Sequence, residues 1–186
     1  MSFAARGMVL VVVALWVSVA KSQTIEEALV DAFFDALRDK PESYLEQTAT
    51  VILGYGRDGA IDEKGIETMI AIQRAKYRAT AGRRLLVADL NNDGEVSRAE
   101  IGTLLPTYSS SMRARLVLIH RESDLDGNGI VTVAEQRALS DAYALTKLSE
   151  DKAADLRRLM LLDANNDGWV TLDEAHELIE EFREGA

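Results

Sequence analysis

The sequence contains no cysteine, two histidines and two prolines among its 186 residues. The missing thiols exclude disulfides, Cys-ligated zinc, a cysteine nucleophile and a lipid-modified cysteine anchor. His120 and His176 are too few and too separate to suggest a nucleophile–base pair, and no serine lies in a recognisable nucleophile motif. No enzymatic activity is expected. Positive charge is also scarce: 21 Lys and Arg stand against 31 Asp and Glu, for a formal charge of −10. That balance argues against nucleic acid and anionic membrane surfaces as partners.

Long apolar runs are absent apart from Met8–Val17, which follows Arg6 and precedes Ser18-Val-Ala20. A basic residue, a short apolar run and small residues at the cleavage positions form the layout of a secretory signal over residues 1–20. The run is shorter than the 20 or so apolar residues of a membrane span. Cleavage after Ala20 predicts a secreted or periplasmic protein with no stable membrane span. An uncleaved anchor is the alternative.

The mature chain opens on the capping box Thr24-Ile-Glu-Glu27. Leu29, Phe33 and Leu37 follow at helical spacing, with Ala32, Phe34 and Ala36 beside them. Pro41 ends this amphipathic helix, predicted over 25–38 within a segment 21–41. Its apolar face can dock on the first lobe or serve a partner, and docking is the expected use. A second capping box, Ser43-Tyr-Leu-Glu46, predicts a helix to about Leu53.

What the chain has in abundance is the spacing of Asp163-Ala-Asn-Asn-Asp-Gly-Trp-Val-Thr-Leu-Asp-Glu174. Oxygen-bearing side chains fall at positions 1, 3, 5, 9 and 12, and Gly168 at 6 permits the sharp turn. Asp163, Asn165, Asp167, the Trp169 carbonyl, Thr171 (through water) and Glu174 (through both oxygens) would encircle a Ca²⁺ ion. Loop 89–100 repeats the pattern with Asp89, Asn91, Asp93, the Glu95 carbonyl, Ser97 and Glu100. Loop 124–135 repeats it with Asp124, Asp126, Asn128, the Ile130 carbonyl, Thr132 and Glu135. Each loop offers three ligand carboxylates and one amide, so comparable affinities are expected. Glutamate at position 12 favours Ca²⁺ over Mg²⁺.

A fourth stretch, 54–65, aligns on Asp58-Gly59, with Ile61 at position 8 and Asp62 at 9. Gly54, Gly56 and Gly65 occupy positions 1, 3 and 12, where no side-chain oxygen remains. It reads either as a Gly-rich turn or as a repeat that has lost its ligands. The loop starts at 54, 89, 124 and 163 are 35, 35 and 39 residues apart, which favours a repeat. Position 8 is Ile61, Val96, Val131 and Val170, suited to short strands that pair loop with loop. Consecutive pairing is expected: 54–65 with 89–100, and 124–135 with 163–174. The breaker-and-cap stretch Pro106-Thr-Tyr-Ser-Ser-Ser111 would then be the linker between pair one (42–105) and pair two (112–186).

From these motifs the chain resembles the EF-hand superfamily over roughly residues 43–186, in the company of calmodulin-like and exported bacterial EF-hand proteins. The resemblance implies an all-α fold of paired helix–loop–helix units in two lobes, with short β-bridges between paired loops. It also implies Ca²⁺ ligation by the residues named above, three ions in all. The chain departs from the family in its ligand-free first hand, and in His120 and Ser123, where apolar packing residues often stand. The expected role is an exported Ca²⁺ sensor or Ca²⁺-dependent binding module, with an unidentified protein partner. A buffer or Ca²⁺-stabilised structural module is the alternative, and an accessory subunit of an enzyme the weaker one.

Overall fold

The computed structural model describes residues 28, 30–35 and 37–184, the last three by backbone alone. The expected signal 1–20, the Thr24–Glu27 box, and the expected apolar contributions of Leu29, Ala36 and the Phe182 side chain lie outside that description. The fold is all-α, with two short antiparallel strand pairs. The described residues between 28 and 39 are helical (α1). There follow α2 (Pro41–Tyr55), β1 (Ala60–Asp62), α3 (Glu63–Leu86), β2 (Val96–Ser97), α4 (Arg98–Leu104) and a 3₁₀ turn at Leu105–Thr107. The chain continues through α5 (Ser110–Ser123), β3 (Ile130–Val131), α6 (Val133–Lys147) and α7 (Glu150–Arg157). A 3₁₀ turn at Arg158–Leu162 leads to β4 (Trp169–Thr171) and α8 (Leu172–Glu184).

Local chemistry sets most of these boundaries. Proline disfavours a helical conformation in the residue before it, and Lys40 breaks the helix at φ −142° and ψ 64°. Pro41 then starts α2, where its fixed φ suits the first helical position. The Ser43 capping box is therefore not the start of α2. Ser43 lies inside the first turn, its Oγ accepting from Gln47 Nε2 at 3.1 Å. Ser97 and Thr132 do form capping boxes, with Glu100 and Glu135, at the starts of α4 and α6. Ser149 Oγ accepts from the Lys152 N–H at 3.3 Å at the start of α7.

The chain divides into two units, one of residues up to Gly65 and from Asp155 onward, the other Ile66–Ala154. The strands pair accordingly. In the first unit Ile61 of β1 stands opposite Val170 of β4, and in the second Val96 of β2 stands opposite Val131 of β3. Position 8 is thus the pairing position, but the loops pair first with fourth and second with third. The expected consecutive pairing is corrected, and with it the domain limits. A chain that stays helical from Glu63 to Leu86 has no turn to bring loop 54–65 back beside loop 89–100. The reversal comes at Pro106, inside a 3₁₀ turn between α4 and α5. Residues 106–111 therefore join the two hands of one pair rather than separating two pairs.

In the first unit α2 packs on α8. Ile52, Ile61, Leu162, Val170, Ala175 and Ile179 are buried there. α1 docks, as its apolar stripe predicted: Phe33 and Leu37 are buried, and the Phe33 ring meets Tyr44 edge to face at 5.5 Å. Burial, then the nearby Asp155 carboxylate, pushes the Tyr44 hydroxyl up to about 12, against the opposing pull of Arg158.

The second unit is built on a cluster of Leu85, Ala88, Val96, Ile101, Leu116 and Val131. His120 and Ser123 are buried beside it, and each makes a hydrogen bond to a backbone carbonyl. The His120 ring nitrogen Nε2 lies 3.0 Å from the Val96 carbonyl, and Ser123 Oγ donates to the Ile119 carbonyl at 2.7 Å. A polar group inside a core is tolerated when hydrogen-bonded, so neither departure disturbs the packing. Arg74 donates twice to the Leu148 carbonyl at 3.2 Å and pairs with Glu150 at 3.0 Å, tying α3 to the end of α6.

Loop 54–65 closes on itself. Its Ala60 carbonyl, at position 7, accepts the Arg57 N–H at 2.7 Å, and Ala60 N–H returns to the Arg57 carbonyl at 3.0 Å. A Cβ on Gly56 would stand 2.2 Å from the Ala60 oxygen and 2.4 Å from the Ile52 oxygen, both backbone atoms. At Gly65 it would meet the Ile61 side chain at 2.7 Å. The carbonyl that position 7 would turn on a cation is already bonded to an amide proton. Gly56→Ala is expected to lower stability by about 2–3 kcal/mol, the scale of a forced overpacking. Gly54→Ala, with nothing within 4 Å of its new methyl, should be neutral or stabilising by up to about 1 kcal/mol. Urea denaturation of the two variants checks the contrast.

Candidate metal centre

The other three loops are bent by residues in the left-handed region: Asn92 and Gly94, Gly127 and Gly129, Asn166 and Gly168. Glycine adopts that region at little cost. The bend points the sixth residue's N–H at the first. Gly94, Gly129 and Gly168 donate to Oδ2 of Asp89, Asp124 and Asp163 at 3.0, 3.0 and 2.9 Å. A second inward bond joins residues two apart: Glu95 N–H to Asp93 Oδ1 at 2.8 Å, Ile130 N–H to Asn128 Oδ1 at 2.7 Å, and Trp169 N–H to Asp167 Oδ1 at 2.9 Å. Position 3 takes part as well, since Asn91, Asp126 and Asn165 each accept the N–H two residues on.

The glutamates at position 12 reach back to hold the loop closed. Glu100 Oε1 accepts the Leu90 N–H at 3.0 Å and Glu135 Oε1 that of Leu125 at 2.8 Å. Their Oε2 atoms accept both the N–H and the hydroxyl of Ser97 and Thr132, every contact at 2.8 Å. The backbone N–H at position 9, followed by its hydroxyl, holds both carboxyls below the usual glutamate range. Both are therefore anionic at neutral pH. Glu174 repeats the Oε2 half of the pattern, accepting from Thr171 N–H and Oγ1 at 3.0 and 2.8 Å. The position-9 side chains thus lie on Glu at position 12 and accept its N–H in turn.

Two oxygens are left over. Asp124 Oδ1 and Glu174 Oε1 are buried without a hydrogen-bond partner. A buried carboxylate oxygen without a partner is costly, and a hard cation is the partner that suits it. Asp124, Asp126 and Glu135 also converge, offering oxygens within 4.8 Å of one another. Among the described residues this is the one such acidic triad. Loops 89–100 and 163–174 carry an amide, Asn91 or Asn165, at the position where loop 124–135 has Asp126.

The EF hand family matches residues 85–105, which run from the end of α3 through loop 89–100 and α4. That segment is an EF hand, and loops 124–135 and 163–174 repeat its ligand pattern. The chain is accordingly a calcium-binding protein. No curated protein and no solved structure matches it. No described helix is long and apolar enough to cross a membrane.

One residue of this EF-hand site was not foreseen from its loop patterns. Arg98, at position 10 of loop 89–100, places Nη2 3.1 Å from Asp124 Oδ2, in the next hand. Its sequence signal is slight, an arginine where the other loops carry Glu63, Val133 and Leu172. Only the β2–β3 pairing gives it meaning.

Trp169, half-exposed in β4, makes loop 163–174 observable. In a chain beginning at residue 21, which lacks Trp16, excitation of Trp169 should sensitise bound Tb³⁺. Glu174→Gln is expected to abolish that signal, while Glu100→Gln and Glu135→Gln retain most of it, because both belong to the other pair. Equal loss in Glu135→Gln would contradict the observed pairing.

Proposed function

We propose that this is an exported EF-hand protein that takes three Ca²⁺ ions, in loops 89–100, 124–135 and 163–174. It would act as a Ca²⁺ sensor or Ca²⁺-dependent binding module. The observation that supports this best is the shared inward wiring of the three loops, set against its replacement in loop 54–65. In each of the three, backbone N–H groups fix the carboxylates at positions 1 and 12. In two of them an oxygen is left buried and unbonded. The ion, once bound, supplies positive charge at a point the chain can otherwise satisfy only in part. Ligands that run from the end of one helix to the first turn of the next then change their mutual restraint when it arrives or leaves.

A binding role is supported by a cavity of about 210 Å³ in the second unit, lined by Arg84, Val87, Tyr108, Met112, Arg115, Leu116 and Ile119. Val87 and Met112 are exposed apolar residues on its walls. Export rests on the Arg6 to Ala20 signal pattern. We assign no catalysis: His120 is held against the Val96 carbonyl, and His176 lies exposed on α8.

Calorimetric titration with Ca²⁺ should count three sites, and Glu100→Gln, Glu135→Gln and Glu174→Gln should each weaken or remove one. Four sites would overturn the reading of loop 54–65. At a hundredfold excess over its Kd each site adds about 2.7 kcal/mol of stability, so chelation should lower Tm markedly. Heteronuclear NMR with and without Ca²⁺ separates the roles. Rearranged helices with new apolar exposure identify a sensor, and an unchanged closed form identifies a buffer or structural module.

A further inference from the structure

Arg98 is the first residue of α4, yet its side chain leaves its own loop. Its backbone N–H bonds the Gly129 carbonyl at 3.0 Å, which extends the β2–β3 ladder and anchors the residue beside loop 124–135. From there Nη2 reaches Asp124 Oδ2 at 3.1 Å and the Gly127 carbonyl at 3.4 Å. The guanidinium lies against Gly129 so closely that a Cβ there would stand 3.0 Å from Nε. The Asp124 side chain is 3% exposed, and its other oxygen is the one left unpartnered. A fixed positive charge thus sits one carboxylate away from the point where a cation would bind. In the other loops position 10 is Glu63, Val133 and Leu172, none of them basic.

We propose that Arg98 is a built-in counter-charge that sets the Ca²⁺ affinity of loop 124–135. Without the ion, it offsets the mutual repulsion of Asp124, Asp126 and Glu135 and keeps the empty loop in shape. With the ion, the same charge repels a dication and weakens its binding. A unit charge facing a dication across one carboxylate, in a water-like dielectric, changes affinity by about three- to tenfold. Arg98 is mostly exposed, so salt reduces the effect. The two consequences have opposite signs. A residue that merely shaped the loop would, when removed, lower both stability and affinity. Removing a counter-charge lowers the stability of the Ca²⁺-free chain and raises the affinity of the loop.

The inference rests on the reading that loop 124–135 takes Ca²⁺, and amide NMR of the whole chain tests the two separately. The Gly94, Gly129 and Gly168 N–H groups each donate to the first carboxylate of their own loop. Each resonance therefore reports the filling of one loop during titration with calcium chloride. At low salt, Arg98→Gln should move the Gly129 midpoint to about three- to tenfold lower Ca²⁺ and leave Gly168 unmoved. Its Ca²⁺-free melting temperature should fall, and Arg98→Lys should behave like the unmodified protein. In the unmodified protein, raising salt should narrow the gap between the Gly129 and Gly168 midpoints. An unchanged or higher Gly129 midpoint in Arg98→Gln overturns the proposal alone. A Gly129 resonance that ignores Ca²⁺ in the unmodified protein overturns the site, and the proposal with it.

Discussion

The contact on which the rest depends is the meeting of two branched side chains at position 8 of paired loops. Ile61 faces Val170 in one unit and Val96 faces Val131 in the other, all four fully buried. Each strand is only two or three residues long, and so short a ribbon has no stability alone in water. The helices entering and leaving each loop must therefore bury these side chains for the ladder to persist. In return, the ladder fixes the backbone on either side of position 8, where each loop turns its carbonyl at 7 and its helix cap at 9. Loops consequently come in twos. A hand without ligands still has a structural duty, because without Ile61 the Val170 side chain would have no strand to face.

The four loops meet the same problem, closing a twelve-residue turn, in two ways. Loop 54–65 uses neutral backbone groups, with Arg57 and Ala60 exchanging hydrogen bonds across a turn that glycine alone can make at 56. The other three use carboxylates that accept inward N–H groups, and two of them keep a buried oxygen in reserve. Neutral closure is indifferent to ions. Charged closure gathers like charges and leaves an electrostatic deficit that a cation can fill. The first unit contains one loop of each kind, and the second contains two of the charged kind.

Much of this was legible in the residues. The loop spacing, the glycine at position 6, the apolar position 8 and the α1 stripe with Phe33 and Leu37 all report local or periodic constraints, which a sequence displays directly. The helix start at Pro41 rather than Ser43 was legible too, had the proline been given precedence over a capping pattern that lies inside the first turn. The pairing of the loops was harder, since it depends on where the chain reverses. Pro106 marked the reversal correctly, but a break looks the same whether it joins two hands or parts two lobes. The deciding signal was negative: nothing between Glu63 and Leu86 interrupts a helix, since Gly65 in the first turn and Gly82 are too weak to do so. Arg98 was illegible for the same reason, because its partner lies 26 residues away and belongs to a loop whose neighbour was not yet known.

The glycines of loop 54–65 also decide what installing a fourth site would require. An acidic side chain at 56 would drive into the oxygens of Ala60 and Ile52 before it could offer an oxygen of its own, and a glutamate at 65 would first have to evict Ile61. Gly54 has room, yet a lone carboxylate there would face a turn whose position-7 carbonyl is already occupied. A change at 56 or 65 is thus obstructed, and a change at 54 alone is tolerated but without reward. A metal-binding first hand would need the Arg57–Ala60 turn rebuilt along with the new ligands.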